Sequence, residues 1–408
     1  MTKERLSLMY LGNAFPPSLG WVFRPDCLTS PVYEIAMTQA FAKRVDVSTV
    51  GLLNPKLFGH WDGSKDASSG LEHELVLWDK NPALWHRWRS WRDLRRYYLE
   101  KTQREGMPDI ILARNLQHVF NRFAKWLRQQ PDRPLIVLLL GDSGGLGEKI
   151  PWSRRFRYHF KPLQMLDEQS VLLYDACLVS SLKTKHYFES RGVPWMWMPC
   201  AFHSNYEPPP PRPDESGPIR FGYFGALSEH SAILPLVRTF LSAGVPGSLH
   251  VCGHGSMARE LTRLAEQHPN FHFDGFLPTQ ADCLPWAQKV DVLINLRLPL
   301  WGLENSAPSK VFEYGIAGKA ILSTRTASMD EVLGEEGIYI ETENYEESLR
   351  QKFREISAMD RMELQRRAMI IRNRIVKEYN WDEQTRRIFE FMVGIVKPRP
   401  SHKTPPTA

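Results

Sequence analysis

One rhythm, repeated on both sides of a segment that can join neither half, sets what this chain can fold into. From Glu207 to Pro218 the sequence is dense in proline, which lacks a backbone donor and disfavours helical angles in the residue before it. Such a stretch reads as a semi-rigid extended spacer and so as a domain boundary. Before it, short and nearly continuous apolar runs occur at Leu6–Leu11, Val45–Leu52, Ile110–Ala113, Leu135–Leu140, Ala176–Val179 and Trp195–Met198. After it they recur at Ile219–Phe224, Ser248–Val251, Phe271–Phe273, Val290–Asn295, Ala320–Ser323 and Ile338–Ile340. Amphipathic helical patterns lie between them, among them Ser231–Ala243, Met257–Gln267, Ser309–Ala317 and Tyr345–Ile356. Apolar strands alternating with helices predict parallel sheets covered on both faces. The expected class is α/β, with two doubly wound domains and a ligand cleft beyond the carboxyl ends of their strands.

The expected division is 1–206, a linker 207–218, a second domain 219–378, a helix 379–396 that returns to the first domain, and a tail 397–408 that is disordered by composition. No apolar run reaches the roughly 20 residues a membrane-spanning helix needs. The first residues read as a strand, not a secretion signal. Five scattered cysteines without a Cys-x-x-Cys pair argue against a disulfide framework or zinc knuckle and point to a reducing cytoplasm. A net charge of +6 is mild and suits an anionic ligand or membrane surface; no nucleic acid partner is expected, and the oligomeric state stays open.

The most informative block runs from Asn305 to Ser323. Pro308 suits a first helical turn, and Ser306 and Ser309 offer side-chain acceptors at that end. A helix start carries free donors that favour a phosphate, and Lys310 adds a full charge. Glu313 follows Ser309 at i,i+4, on the same face. A carboxylate there is repelled by phosphate, so accepting hydrogen bonds from a ribose diol is its natural use, as acidic residues do in dinucleotide sites.

That block resembles the nucleotide-sugar motif of glycosyltransferase family 4: proline-serine-lysine, an apolar pair, glutamate-tyrosine, then a small-residue glycine-lysine end. Phe221–His230, Leu249–Gly255 and Phe271–Pro278 are similar to the strand ends that open the family's donor domain. Leu11–Gly20 and Pro108–Asn115 resemble its first loop and fourth strand. The resemblance implies a GT-B arrangement of two facing Rossmann-like domains and a retaining sugar transfer. The donor would be a nucleotide diphosphate sugar, the acceptor a hydroxyl of a glycan or lipid-linked glycan, and no cofactor or metal would be needed. Glu313 would hold the ribose with Ser309 near the diphosphate, Phe276 and Leu277 would line the base, Gly20 would let the first-domain loop approach the phosphates, and Gly225 would lie in the donor site. Arg114 occupies the place where many members carry a catalytic histidine.

The sequence departs from that pattern twice. The partner expected for Glu313 falls at Asn305, beside Glu304, and the arginine–lysine pair usual after the strand ending at Gly225 is missing. A leaving diphosphate gains charge in the transition state, so Lys310, Arg297 and Arg114 are expected to substitute. No Asp-x-Asp occurs, and metal-bridged diphosphate binding is not expected. Two other readings stay open: another GT-B enzyme, such as an epimerase or an inverting transferase with His118 or Asp142 as its base, and a degenerate nucleotide-sugar-binding partner. Asp142 heads a glycine-rich loop read as a rim of the acceptor cleft, where it would orient a hydroxyl.

Residues 81–106 combine Leu84, Trp85, Trp88, Trp91, Leu94, Tyr97 and Tyr98 at helical spacing with Arg87, Arg89, Arg92, Arg95 and Arg96. The combination suits an interfacial helix on an anionic, peripheral membrane surface. It equally suits a helix whose aromatic stripe packs on the first domain with its arginines in water.

Overall fold

The structure, a computed structural model, describes residues 5–12, 29–53, 72–77, 84–141, 168–202, 207–208, 217–227, 231–277, 280–297, 309–341 and 343–395. The first half forms strands β1 (Ser7–Gly12), β2 (Asp46–Leu53), β3 (Glu72–Leu77), β4 (Ile110–Arg114), β5 (Leu135–Leu140), β6 (Ala176–Val179) and β7 (Trp195–Trp197). They make one parallel sheet in the order β3-β2-β1-β4-β5-β6-β7. The second half supplies β8 (Arg220–Ala226), β9 (Ser248–His254), β10 (Phe271–Phe273), β11 (Val292–Asn295), β12 (Ala320–Thr324) and β13 (Ile338–Ile340). Their order, β10-β9-β8-β11-β12-β13, reverses at β8/β11 as the first sheet reverses at β1/β4. At such a reversal the flanking connections run out in opposite directions and leave a crevice at the strand ends.

Side chains alternate across a strand, and each sheet therefore feeds two cores. Met9, Leu11, Ile111, Ile136 and Leu138 pack with Leu94, Tyr98, Phe120 and Phe123 from helices Leu84–Glu105 and His118–Leu127. Their sequence neighbours Leu8, Tyr10, Ile110, Leu112 and Val137 pack on the other face with Ile35 and Phe41 of helix Thr29–Ala42. In the second sheet Phe221, Tyr223, Val251 and Ile294 face the helices Ile233–Ala243 and Tyr345–Ser357. Phe224, Cys252 and Leu293 face Lys310–Ile316 and Arg361–Glu378.

The expected strands are present to within a few residues at their ends. The sequence reading did not anticipate β3, which opens Glu-His-Glu and among the described residues pairs on one side only, with β2. An edge strand tolerates polar residues that a two-sided apolar run does not.

The last helix, Trp381–Ile395, crosses back as expected. Trp381, Ile388 and Met392 complete the first lobe's core, Tyr33 meets Trp381 edge-on at 4.5 Å, and Lys43 pairs with Asp382 at 2.7 Å. Just before it, the Phe202 amide donates to Tyr379 O at 2.9 Å, so two crossing segments bond to each other. Of the linker, Glu207 accepts from Arg372 at 2.6 Å, and the Gly217 and Pro218 carbonyls accept from Arg361; residues 209–216 and the tail from 396 lie outside the described residues.

Within Leu84–Glu105 the aromatic stripe packs inward from Trp91 onward. Leu94 and Tyr98 are buried, Tyr98 meets Phe123 and Trp126 edge-on, and Arg95 lies 5.0 Å over the Trp126 ring. Arg92, Arg95 and Arg96 are exposed. The side chains of Leu84–Arg89 lie outside the described residues. Among the described residues no helix is long and apolar enough to cross a membrane, and Cys177, Cys252 and Cys283 are free thiols.

Candidate functional site

The second lobe's crevice is built where β8 and β9 each carry a glycine one residue before their C-terminal end. Gly225 (φ +142°) and Gly253 (φ +153°) hold conformations that side-chain-bearing residues avoid. A Cβ on Gly253 would overlap the Gly225 carbonyl, and one on Gly225 would overlap the Lys310 stem. The strand ends therefore approach each other backbone to backbone, with the lysine lying across bare main chain.

Lys310 opens the helix Lys310–Ile316 that follows β11. Its Nζ donates to Tyr223 Oη at 2.5 Å and sits 4.4 Å from that ring's centre. Tyr223 Oη in turn donates to Ala226 O at 2.7 Å. Among the described residues the half-buried Lys310 makes no ion pair. The helix itself is short, and Ser309 has helical angles with no side-chain capping bond. The expected hydroxyl cap at Ser309 is thus absent, because the residue is already wound into the turn. The lysine's full charge, rather than the helix end, supplies the positive character here.

Glu313 is half-buried one turn on. Burial first, then the adjacent Glu313 and Asp282, push the Cys283 thiol up to about 12. Tyr314 is buried and donates to Phe224 O at 3.1 Å, which ties the helix to β8. Arg297 follows β11, its amide bonded to Thr324 Oγ1 at 2.9 Å, with its side chain half-exposed. Phe276 is 46% exposed and meets His254 edge-on at 5.5 Å, while Leu277 packs on the core beneath. Gly225, Phe276, Leu277, Arg297, Ser309, Lys310 and Glu313 thus all lie on segments at or following the C-terminal ends of β8, β10 and β11.

In the first lobe, Arg114 ends β4 and pairs with Glu34 of helix Thr29–Ala42. Glu34 is 0% exposed and the Arg114 side chain 13%. Tyr10 Oη also donates to Glu34, at 2.6 Å. Burial pushes the Tyr10 and Tyr33 phenols up, so both stay protonated. Next to this cluster Asn115, at φ 55°, turns its Oδ1 to accept the Gly141 amide at 2.9 Å. Arg114 therefore enters the strand-end region with its charge largely compensated, unlike Lys310.

Gly20, Asp142, Glu304 and Asn305 lie outside the described residues, as does the side chain of His118, which opens its helix. Glu34 and Tyr223 were not anticipated. Their partners stand 80 and 87 positions away, and no local motif marks either residue. Among the described residues no group of three or more His, Cys, Asp or Glu side chains is placed to hold a metal ion.

No family model matches the sequence, and no curated protein matches it. Solved structures do match in fold. Lipopolysaccharide outer core galactosyltransferase WaaB, in its apo form, is 12% identical, with a TM-score of 0.62 over 95% of this chain and 99% of that one. Sucrose-phosphate synthase from Thermosynechococcus elongatus is 12% identical, with a TM-score of 0.68 over 96% and 99%. HepE from Anabaena, in complex with UDP and glucose, is 12% identical, with a TM-score of 0.63 over 95% and 100%. The fold is GT-B: two Rossmann-like lobes facing a common cleft, with the C-terminal helix returned to the first.

Proposed function

We propose that this chain is a nucleotide-sugar-dependent glycosyltransferase that moves a sugar, with retained configuration, onto a hydroxyl of a glycan or lipid-linked acceptor. One observation carries the reading. Lys310 presents an ammonium with no carboxylate partner among the described residues, at a glycine-lined strand end, with Glu313 one turn further along its helix. A cation held by a neutral phenol suits the bridging oxygens of a diphosphate, whose charge grows as the sugar leaves. Glu313 suits a ribose diol, and the exposed Phe276 ring offers a face to a base. The GT-B fold supports the same reading, as does HepE, whose structure holds UDP and glucose.

Arg114, bound to Glu34, has no basic lone pair to offer, so we assign the acceptor's proton to the departing phosphate oxygen rather than to a first-lobe base. The glycosyltransferase family 4 resemblance favours the same retaining course. We further propose cytoplasmic action without a metal. The arginine face of Leu84–Glu105 is the surface we assign to an anionic membrane, tested by co-sedimentation with phosphatidylglycerol vesicles at low salt.

The deciding experiment incubates the purified protein with UDP-, GDP-, ADP- and dTDP-sugars and follows free sugar by NMR, with and without chelator. Slow release of one sugar in its original anomeric form, unchanged by chelator, is the expected result. Lys310→Ala should lower that rate about 100-fold, the scale of removing one preorganised charge stabiliser, with the melting temperature nearly unchanged. No release or binding of any donor would overturn the reading.

A further inference from the structure

Lys310 is a flexible side chain with a point charge, and a free lysine head is a poor positioning device because its long stem has many rotamers. In this fold its direction is set from another element. We infer that Tyr223 is a positioning residue for Lys310, fixing where the ammonium meets the donor's diphosphate; this rests on the glycosyltransferase reading above.

The Tyr223 ring is 1% exposed and wedged in the core that backs β8, among Phe221, Val251 and Ile294. The ring therefore has no room to swing. Its one hydroxyl proton goes to Ala226 O at 2.7 Å. The oxygen that remains is an acceptor only, and it faces Lys310 Nζ. An acceptor whose own proton is committed elsewhere interacts more strongly with an ammonium than with a neutral amine. Gly225 completes the arrangement, since any Cβ there would displace the lysine stem. A rigid strand thus sets the reach of the cation, and among the described residues two of its three N–H donors remain for an anion.

Tyr314 provides an internal comparison. It stands four residues after Lys310 on the same helix and donates to Phe224 O. Its hydroxyl holds helix to strand without bonding the amine. Loss of that hydroxyl should cost stability alone, whereas loss of the Tyr223 hydroxyl should alter how the amine binds an anion.

The test measures, at one neutral pH, binding of whichever of UDP, GDP, ADP and dTDP most raises the wild-type melting temperature, together with the corresponding nucleoside monophosphate. The proteins are wild type, Tyr223→Phe, Tyr314→Phe and Lys310→Ala. Tyr223→Phe is expected to weaken the diphosphate about tenfold and the monophosphate much less, so that the preference for the diphosphate narrows. Tyr314→Phe should lower the melting temperature and leave that preference in place, and Lys310→Ala should abolish it. A Tyr223→Phe preference for diphosphate over monophosphate equal to that of wild type overturns the positioning role and leaves the donor reading standing. A wild type that binds none of the four nucleotides overturns the donor reading, and the inference with it.

Discussion

Glu34 sits at 0% exposure with one carboxylate oxygen on Arg114 and the other on Tyr10. Removing one member of such a pair strands a charge away from water, which costs about 3–5 kcal/mol, whereas apolar replacement of both is often neutral. Glu34→Ala should therefore shift the urea midpoint strongly downward, and Glu34→Met with Arg114→Met should recover most of the loss. If Arg114 also meets the donor, the recovered double variant stays inactive. The site was only half legible at this scale. Lys310 and Glu313 were readable because proline, serine, lysine and glutamate stand within a few positions and mark a helix start. Glu34 and Tyr223 were not, because each gains its role from a residue distant in sequence, across a sheet whose register no local pattern reveals.

One edge of the second sheet gathers groups that respond to acid. His250 and His272 are direct partners across β9 and β10, stacked at 4.5 Å. Ser248 Oγ lies 3.0 Å from His250 Nε2. Asp274 accepts from Trp286 Nε1 at 2.6 Å, with His250 at 3.8 Å and Lys289 at 3.9 Å. Burial first, then His250, hold the His272 imidazole below its ordinary 6.5, against the pull of Asp274. Its contribution to stability is thus full above about 6.5 and is lost as pH falls through the lower folded value. The neighbouring His250 first, then the Trp286 N–H, hold Asp274 below the usual carboxylate range, so its contribution is lost only in stronger acid. Melting temperature should fall between pH 7 and 5, and His272→Asn should flatten that interval; an unchanged slope would remove His272 as the cause. Element order and most strand positions were legible, since two-sided burial demands continuous apolar runs. The fate of the arginine-rich helix was not, because one aromatic stripe serves a core or a membrane equally well until a partner helix such as His118–Leu127 is in place.

At the scale of the molecule, the first lobe's core is completed from the far end of the chain. Trp381, Ile388 and Met392 fill the face that β1, β4 and helix Thr29–Ala42 leave open. Trp381→Ala should cost about 3–5 kcal/mol by cavity formation, and pulse proteolysis should then cut within the first lobe before the second. That arrangement also imposes a waiting time on biosynthesis. A ribosome completes the first sheet long before it reaches Trp381, and at about 5–20 residues per second the interval is on the order of ten to forty seconds. Through that interval the nascent first lobe shows water the apolar face that Trp381, Ile388 and Met392 later cover.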